Sequence, residues 1–229
     1  IFLMKFIDLA SIFSKVNNQI NKIDFNLRLK KFTLFQSFFI INAQLDILIL
    51  GLFSPSEIVG NYKIALQIAS LTSFGITAIT KIVIPRFSKL YAQSRMSDLQ
   101  DLAIDSSRLS SLVGILTILF IIISAQSIID NVFGQEYLFV LSPLFVLLIG
   151  QFSNIIFGLQ SALLNLTGNE DASIRTFYIS TFINLIFNLM LVPNYGAIGA
   201  AASTSFSLVL RNLLLWKEVN TRLGINSSY

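Results

Sequence analysis

The sequence contains neither cysteine nor histidine. A chain without these residues has no thiolate or imidazole to bind zinc, copper or haem iron. It also lacks the Ser–His and Cys–His pairs of nucleophilic enzymes, and disulfide bonds are excluded. We therefore expect no metal site, no cofactor and no catalytic residue, and we expect a protein that is not an enzyme.

Charged residues are also scarce. They make up 12% of the 229 residues, whereas hydrophobic residues make up 54% and phenylalanine alone contributes 21. Soluble domains carry about 25% charged residues, so this composition indicates that much of the chain is solvated by lipid. The fold class we predict is an all-α integral membrane protein.

Six apolar runs are long enough to cross a membrane, which takes roughly 20 residues of helix. They are approximately 32–53, 58–84, 112–129, 138–163, 174–193 and 197–216. Proline is tolerated at helix ends and is costly inside helices, and all four prolines fall at or near the expected ends: Pro55, Pro85, Pro143 and Pro193. The sequence thus predicts a six-helix transmembrane bundle over residues 32–216.

Three segments lie outside these spans. Residues 1–31 are expected to be a cytoplasmic or interfacial segment, or the tail of an N-terminal lobe that this chain does not contain. Residues 86–111 mix apolar and charged side chains, which favours an amphipathic connector on the lipid headgroups. Residues 217–229 are expected to be a cytoplasmic tail.

The basic residues predict the orientation. Of the 16 Lys and Arg residues, all except Lys63 and Lys81 lie on the side of the two termini or at its membrane edge. The three opposite loops, SPSE, DNVFGQEY and PNYG, contain none. Because cytoplasmic loops are enriched in Lys and Arg, both termini are expected in the cytoplasm. This asymmetry accounts for the net charge of +4 without nucleic-acid binding, which we do not expect.

Asp46 and Lys63 lie well inside the predicted spans, where ionisable groups are costly and are candidates for function. Asp46 lies about 10 Å and Lys63 about 8 Å below the same surface, on neighbouring antiparallel helices. An Asp46–Lys63 pair is therefore geometrically possible. A packing salt bridge, or a lysine that reaches toward the headgroups, is the alternative interpretation.

Further polar residues lie inside the predicted spans. Asn184 and Asn188 share one face of the fifth span, Asn154 lies on the fourth, and Arg211 lies about 8 Å from the inner end of the sixth. They are candidates for lining a hydrated cavity. Hydrogen bonds that hold the helices together are the competing explanation for each of them.

Several motifs resemble the polysaccharide and O-antigen flippases of the Wzx type, in the multidrug/oligosaccharidyl-lipid/polysaccharide exporter superfamily. They are `LDILILGLFSPSEIVGNYKIALQIASL` (45–71), `LLNLTGNED` (163–171) and `NLIFNLMLVPNYGAIGAAASTSFS` (184–207). Their order and spacing resemble the C-terminal half of these proteins. The resemblance implies one lobe of a two-lobe, twelve-helix transporter whose N-terminal six-helix lobe is absent from this chain.

The resemblance also implies a function and partners. Flippases of this type move oligosaccharides linked to undecaprenyl pyrophosphate across the cytoplasmic membrane by alternating access, coupled to an ion gradient of H⁺ or Na⁺. On this analogy Asp46, with Lys63 nearby, would serve coupling or gating, and Arg211 would meet the pyrophosphate. The alternatives are a multidrug efflux protein or lipid II flippase, a membrane glycosyltransferase, and a membrane scaffold without transport activity.

Overall fold

The computed structural model describes Phe38, residues 40–157 and residues 159–224. By contacts the chain divides into residues 1–44 and residues 45–229. Of the first unit only Phe38 and residues 40–44 are described, and they are helical. The expected N-terminal segment, residues 1–31, therefore lies outside the described residues.

The described residues are helical and contain no strand, which confirms the all-α prediction. Two 3₁₀ turns, Leu71–Ser73 and Gln135–Val140, precede α3 and α5 respectively. The helices are α1 (Ile40–Phe53), α2 (Ser56–Ser70), α3 (Phe74–Ala92), α4 (Met96–Val132), α5 (Leu141–Phe157), α6 (Gln160–Leu166) and α7 (Glu170–Leu223).

Four stretches are long and apolar enough to cross a membrane: Ser56–Ala92, Met96–Val132, Gln135–Phe157 and Glu170–Leu223. They contain or overlap five of the expected spans. The first expected span corresponds to α1, which is shorter over its described length. The fourth was expected to continue to residue 163, but α5 ends at Phe157 and the separate short helix α6 follows.

α7 is a helical hairpin. Gly196 has φ 54° and ψ −131°, close to the first central position of a type II′ turn, where glycine is strongly preferred. The chain reverses there, so that residues 170–195 form the first arm and residues 197–223 the second. The rings of Phe187 and Phe206 stack across the arms at 4.7 Å. This turn corresponds to the predicted break between the fifth and sixth spans, although the first arm continues through Pro193 rather than ending there.

Small residues let the arms approach closely, as is common between membrane helices. A Cβ atom added to Gly199 would lie 2.5 Å from the backbone oxygen of Leu191. At the open end of the hairpin, Arg175 pairs with Glu218, and Arg222 pairs with Asp171 at 3.1 Å and with Glu218 at 2.8 Å. The hairpin is therefore fixed at its turn, along its length and at its open end.

Two predictions about the segment after the second span are wrong. Pro85 does not end a helix, because α3 continues through it to Ala92. The connector expected at residues 86–111 is reduced to Gln93–Arg95, since α4 begins at Met96. Its apolar residues Phe87, Leu99 and Ala103 are buried in a cluster with α6 and α7 rather than placed on headgroups. Tertiary packing thus overrides the local mixture of charge and hydrophobicity.

Large apolar side chains remain exposed around the bundle. On α4, Leu112, Leu116, Phe120 and Ile123 are between 58% and 80% exposed. Continuous apolar exposure of this kind suits contact with lipid tails and would favour aggregation in water. Together with the spans, it makes this chain a multi-pass membrane protein.

Candidate functional site: a buried carboxylate network

Asp46 lies at the centre of a hydrogen-bond network that joins three helices. Its side chain is 8% exposed. One carboxylate oxygen accepts a hydrogen bond from Asn188 Nδ2 at 2.8 Å, and the other accepts from Tyr62 Oη at 3.2 Å and from the hydroxyl of Thr204. Asn188 and Thr204 are on opposite arms of α7, so one carboxylate joins α1, α2 and both arms.

A second layer orients the donors. Asn188 Nδ2 also donates to the backbone oxygen and to the side-chain oxygen of Asn184, both at 3.0 Å. Its own side-chain oxygen is buried and has no hydrogen-bond partner among the described residues. An unsatisfied buried acceptor costs about 1–3 kcal/mol, so this atom favours the approach of a donor or a cation.

No Lys or Arg among the described residues forms an ion pair with Asp46. A buried carboxylate without a cation is costly, because the hydrogen bonds compensate only part of the lost hydration. The carboxylate can lower this cost by taking up a proton or a hard cation. Carboxylate, amide and hydroxyl oxygens are the ligands that such cations prefer.

The predicted Asp46–Lys63 pair is absent from the described residues. Tyr62, the neighbour of Lys63, points to the carboxylate, and Lys63 itself is exposed. Successive residues on a helix are rotated by about 100°. Lys63 lies at a depth similar to that of Asp46 but on a side of α2 that does not face it.

Lys63 instead belongs to a polar face of the rod formed by α2 and α3. Exposed residues recur on this rod every three or four positions, which places them on one face. Leu71 and Phe74 are also exposed there, and the opposite face is buried in the bundle. We call the exposed polar set the α2–α3 polar face: Lys63, Gln67, Ser70, Thr77 and Lys81.

Two predicted site residues lie elsewhere. Asn154 Nδ2 is half-buried and lies 3.5 Å from both Ser73 Oγ and Gln151 Oε1. The guanidinium of Arg211 lies 5.5 Å from the centre of the Phe177 ring, within reach of a cation–π interaction. The structure thus brings Asp46, Asn184 and Asn188 together and leaves Lys63, Asn154 and Arg211 outside their network.

Sequence reasoning missed Tyr62 and Thr204. Thr204 follows Ala200 by four residues, a small-residue spacing that by itself indicates only close packing of helices. Tyr62 lies in an apolar run where its hydroxyl gave no separate signal. The sequence could have indicated them only jointly, because each carries a hydroxyl group on a helix that packs beside Asp46.

The fold and the network define a multi-pass helical membrane protein with a buried carboxylate that is not paired with a cation. Among the described residues, no group of three or more acidic side chains could hold a metal. The family model of a polysaccharide biosynthesis protein matches residues 24–142, just over half of the chain. The chain therefore belongs to this family. No solved structure matches it.

Three known proteins are similar to the chain. It is 25% identical, over 81% of its length, to the probable low-salt glycan biosynthesis flippase Agl15 of Haloferax volcanii. It is 27% identical, over 74% of its length, to the probable flippase AglR of the same organism. An uncharacterized membrane protein of Methanocaldococcus jannaschii is 25% identical over 73% of the chain. The chain spans 39%, 36% and 33% of these relatives respectively.

Proposed function

We propose that this chain is one lobe of a flippase that moves lipid-linked oligosaccharide from the cytoplasmic to the outer leaflet of the cytoplasmic membrane. The oligosaccharide would be a polysaccharide or O-antigen repeat unit on undecaprenyl pyrophosphate. Family membership and the flippase names of two relatives support the general class. The buried Asp46 network is the observation in this chain that carries the proposal.

The network bears on transport because it joins α1, α2 and both arms of α7, so a change at its carboxylate would change the packing of this lobe. Its carboxylate would be stable with a bound proton or Na⁺ and less stable without one, so binding and release would change the energy of this helix arrangement. The carboxylate itself would take a proton, and together with the hydroxyl oxygen of Thr204 it offers oxygen ligands to Na⁺. We therefore assign Asp46, Asn184 and Asn188 to ion coupling.

The α2–α3 polar face supports a path for the headgroup. Lysine and glutamine side chains are unfavourable against lipid tails, so Lys63 and Gln67 would face a water-filled cavity between this lobe and a second, N-terminal six-helix lobe. Asn154 would act from the neighbouring helix, and Arg211 would meet the pyrophosphate from the cytoplasmic end. Rocking of the two lobes would then expose the cavity to each side in turn.

Depletion of the intact protein in its host tests this function. We expect lipid-linked oligosaccharide to be made but to accumulate where impermeant periodate reaches it only after the membrane is permeabilised. If the protein were a scaffold, a drug exporter or a lipid II flippase, its depletion would leave this pool accessible to periodate in intact cells. Loss of the pool itself would indicate synthesis, as by a glycosyltransferase, and would contradict the proposal.

A further inference from the structure

A pocket of about 480 Å³ lies beside the α1–α2 turn, the start of α5 and the tip of the α7 hairpin. Asp46 and its partners do not line it. It lies next to the loops that carry no basic residue, on the side that the charge distribution predicts to be outside. Its volume falls in the range of about 300–1,000 Å³ that is typical of small-molecule sites. The pocket is therefore separate from the proposed coupling site.

The most informative lining residue is Asn61. Its side chain is 8% exposed, and its Oδ1 atom has no hydrogen-bond partner among the described residues. A buried amide oxygen of this kind costs about as much as a lost hydrogen bond. Because the oxygen is covered, a ligand in the pocket reaches it only when the Asn61 side chain turns toward the cavity, and a hydroxyl donor then removes the cost. Asn61 follows Glu57 by one helical turn, so both acceptors are on the same face of α2.

The remaining lining determines the class of ligand. Phe139 and Tyr195 contribute aromatic rings, Ser142 contributes a hydroxyl group, and Pro55, Ile58, Pro143, Ala197 and Ile198 contribute apolar surface. No Lys or Arg lines the pocket, so a phosphate would find no counter-charge there. The fitting ligand has hydroxyl donors for Asn61 and Glu57 and a C–H face for an aromatic ring. A pyranose sugar combines these features.

The turn at Gly196 forms one side of the pocket. Its positive φ lets the chain turn sharply and places Tyr195 and Ala197 on the rim. A Cβ atom at this position would have only Ser54 Oγ nearby, at 3.8 Å. The glycine is therefore required by the backbone conformation rather than by lack of space.

We propose that this pocket binds one sugar ring of the glycan on the outer side of the membrane, after the headgroup has crossed. This inference rests on the proposed flippase function for the identity of the glycan.

The test is saturation-transfer NMR on the intact protein in nanodiscs. The probes are the methyl glycosides of glucose, galactose, mannose and N-acetylglucosamine. At least one is expected to receive saturation on its ring protons. Tyr195→Ala, at a residue that is 64% exposed, should weaken that binding about two- to tenfold, and Asn61→Leu should weaken it as well. Tyr178→Ala, at an exposed tyrosine of the first arm that does not line the pocket, is the matched control.

Absence of binding by all four glycosides would overturn the inference, as would binding that Tyr195→Ala leaves unchanged. Saturation transfer to tetramethylammonium with no sugar binding would show a cation site instead and would equally overturn it. The NMR experiment measures sugar binding without transport, so a negative result there leaves the result of the depletion experiment intact. Conversely, failure of the flippase proposal would appear in the depletion experiment alone.

Discussion

Replacement of Asp46 by Asn is expected to abolish transfer of lipid-linked oligosaccharide while the protein still inserts into the membrane in normal amount. Asn keeps the size of the side chain and can still accept from Tyr62 or Thr204. It carries no charge, so it can neither exchange a proton nor attract Na⁺. The network would therefore remain in one state, and the cycle would stop.

The measurement is surface polysaccharide together with the periodate-accessible pool, with immunoblotting to confirm the amount of protein. Asp105→Asn is the matched control, because Asp105 is exposed on α4 and makes the same change of charge. We expect cells with the Asp46 variant to show the same surface polysaccharide and the same accessible pool as depleted cells. Cells with the control variant should match the wild type in both. A normal amount of surface polysaccharide from the Asp46 variant would contradict the coupling role.

Replacement of Gly199 by Leu is expected to prevent correct closure of the α7 hairpin. Any Cβ at this position would lie 2.5 Å from Leu191 oxygen, and the next contacts are also backbone atoms, which cannot rotate away. Overpacking of a tight core typically costs about 1–3 kcal/mol. A larger loss is expected here, because separation of the arms also separates Asn188 from Thr204 at the Asp46 network.

Thermal unfolding of the purified protein, followed by size-exclusion chromatography, measures this effect. We expect a melting temperature lower by several degrees or more and a large loss of monodisperse protein. Gly51→Leu is the matched control, since a Cβ at Gly51 meets nothing within 4 Å. Equal melting temperatures for the two variants would contradict the close packing of the arms.

Patterns that depend on one helix at a time were predictable from the sequence. Apolar length predicted the membrane helices, and four-residue spacing placed Asn184 and Asn188 on one face. The turn at Gly196 was predicted from the Pro-Asn-Tyr-Gly break. These features require only the period of the helix and the thickness of the membrane.

Features that depend on how helices are rotated against one another were not predictable. Depth alone suggested Lys63 as the partner of Asp46, whereas the rotation of α2 presents Tyr62. Pro85 was expected to end its helix, because local propensity cannot account for a helix that continues into a buried cluster. A single sequence contains the spacing along each helix but not the angle around its axis.

The most direct test of the account asks whether the α2–α3 polar face borders water inside the membrane. This chain has no cysteine, so Gln67→Cys and Thr77→Cys each add one thiol to it, and the labelling of each variant is read against that of the unsubstituted protein. Thiolates form and react with impermeant maleimide only in water, and Leu116→Cys, on the exposed apolar face of α4, is the lipid-facing control. For the intact protein in native membranes, we predict labelling at Gln67 and Thr77 and none at Leu116. If all three positions resist the reagent, the polar face is not a path for a hydrated headgroup, and the flippase account is contradicted.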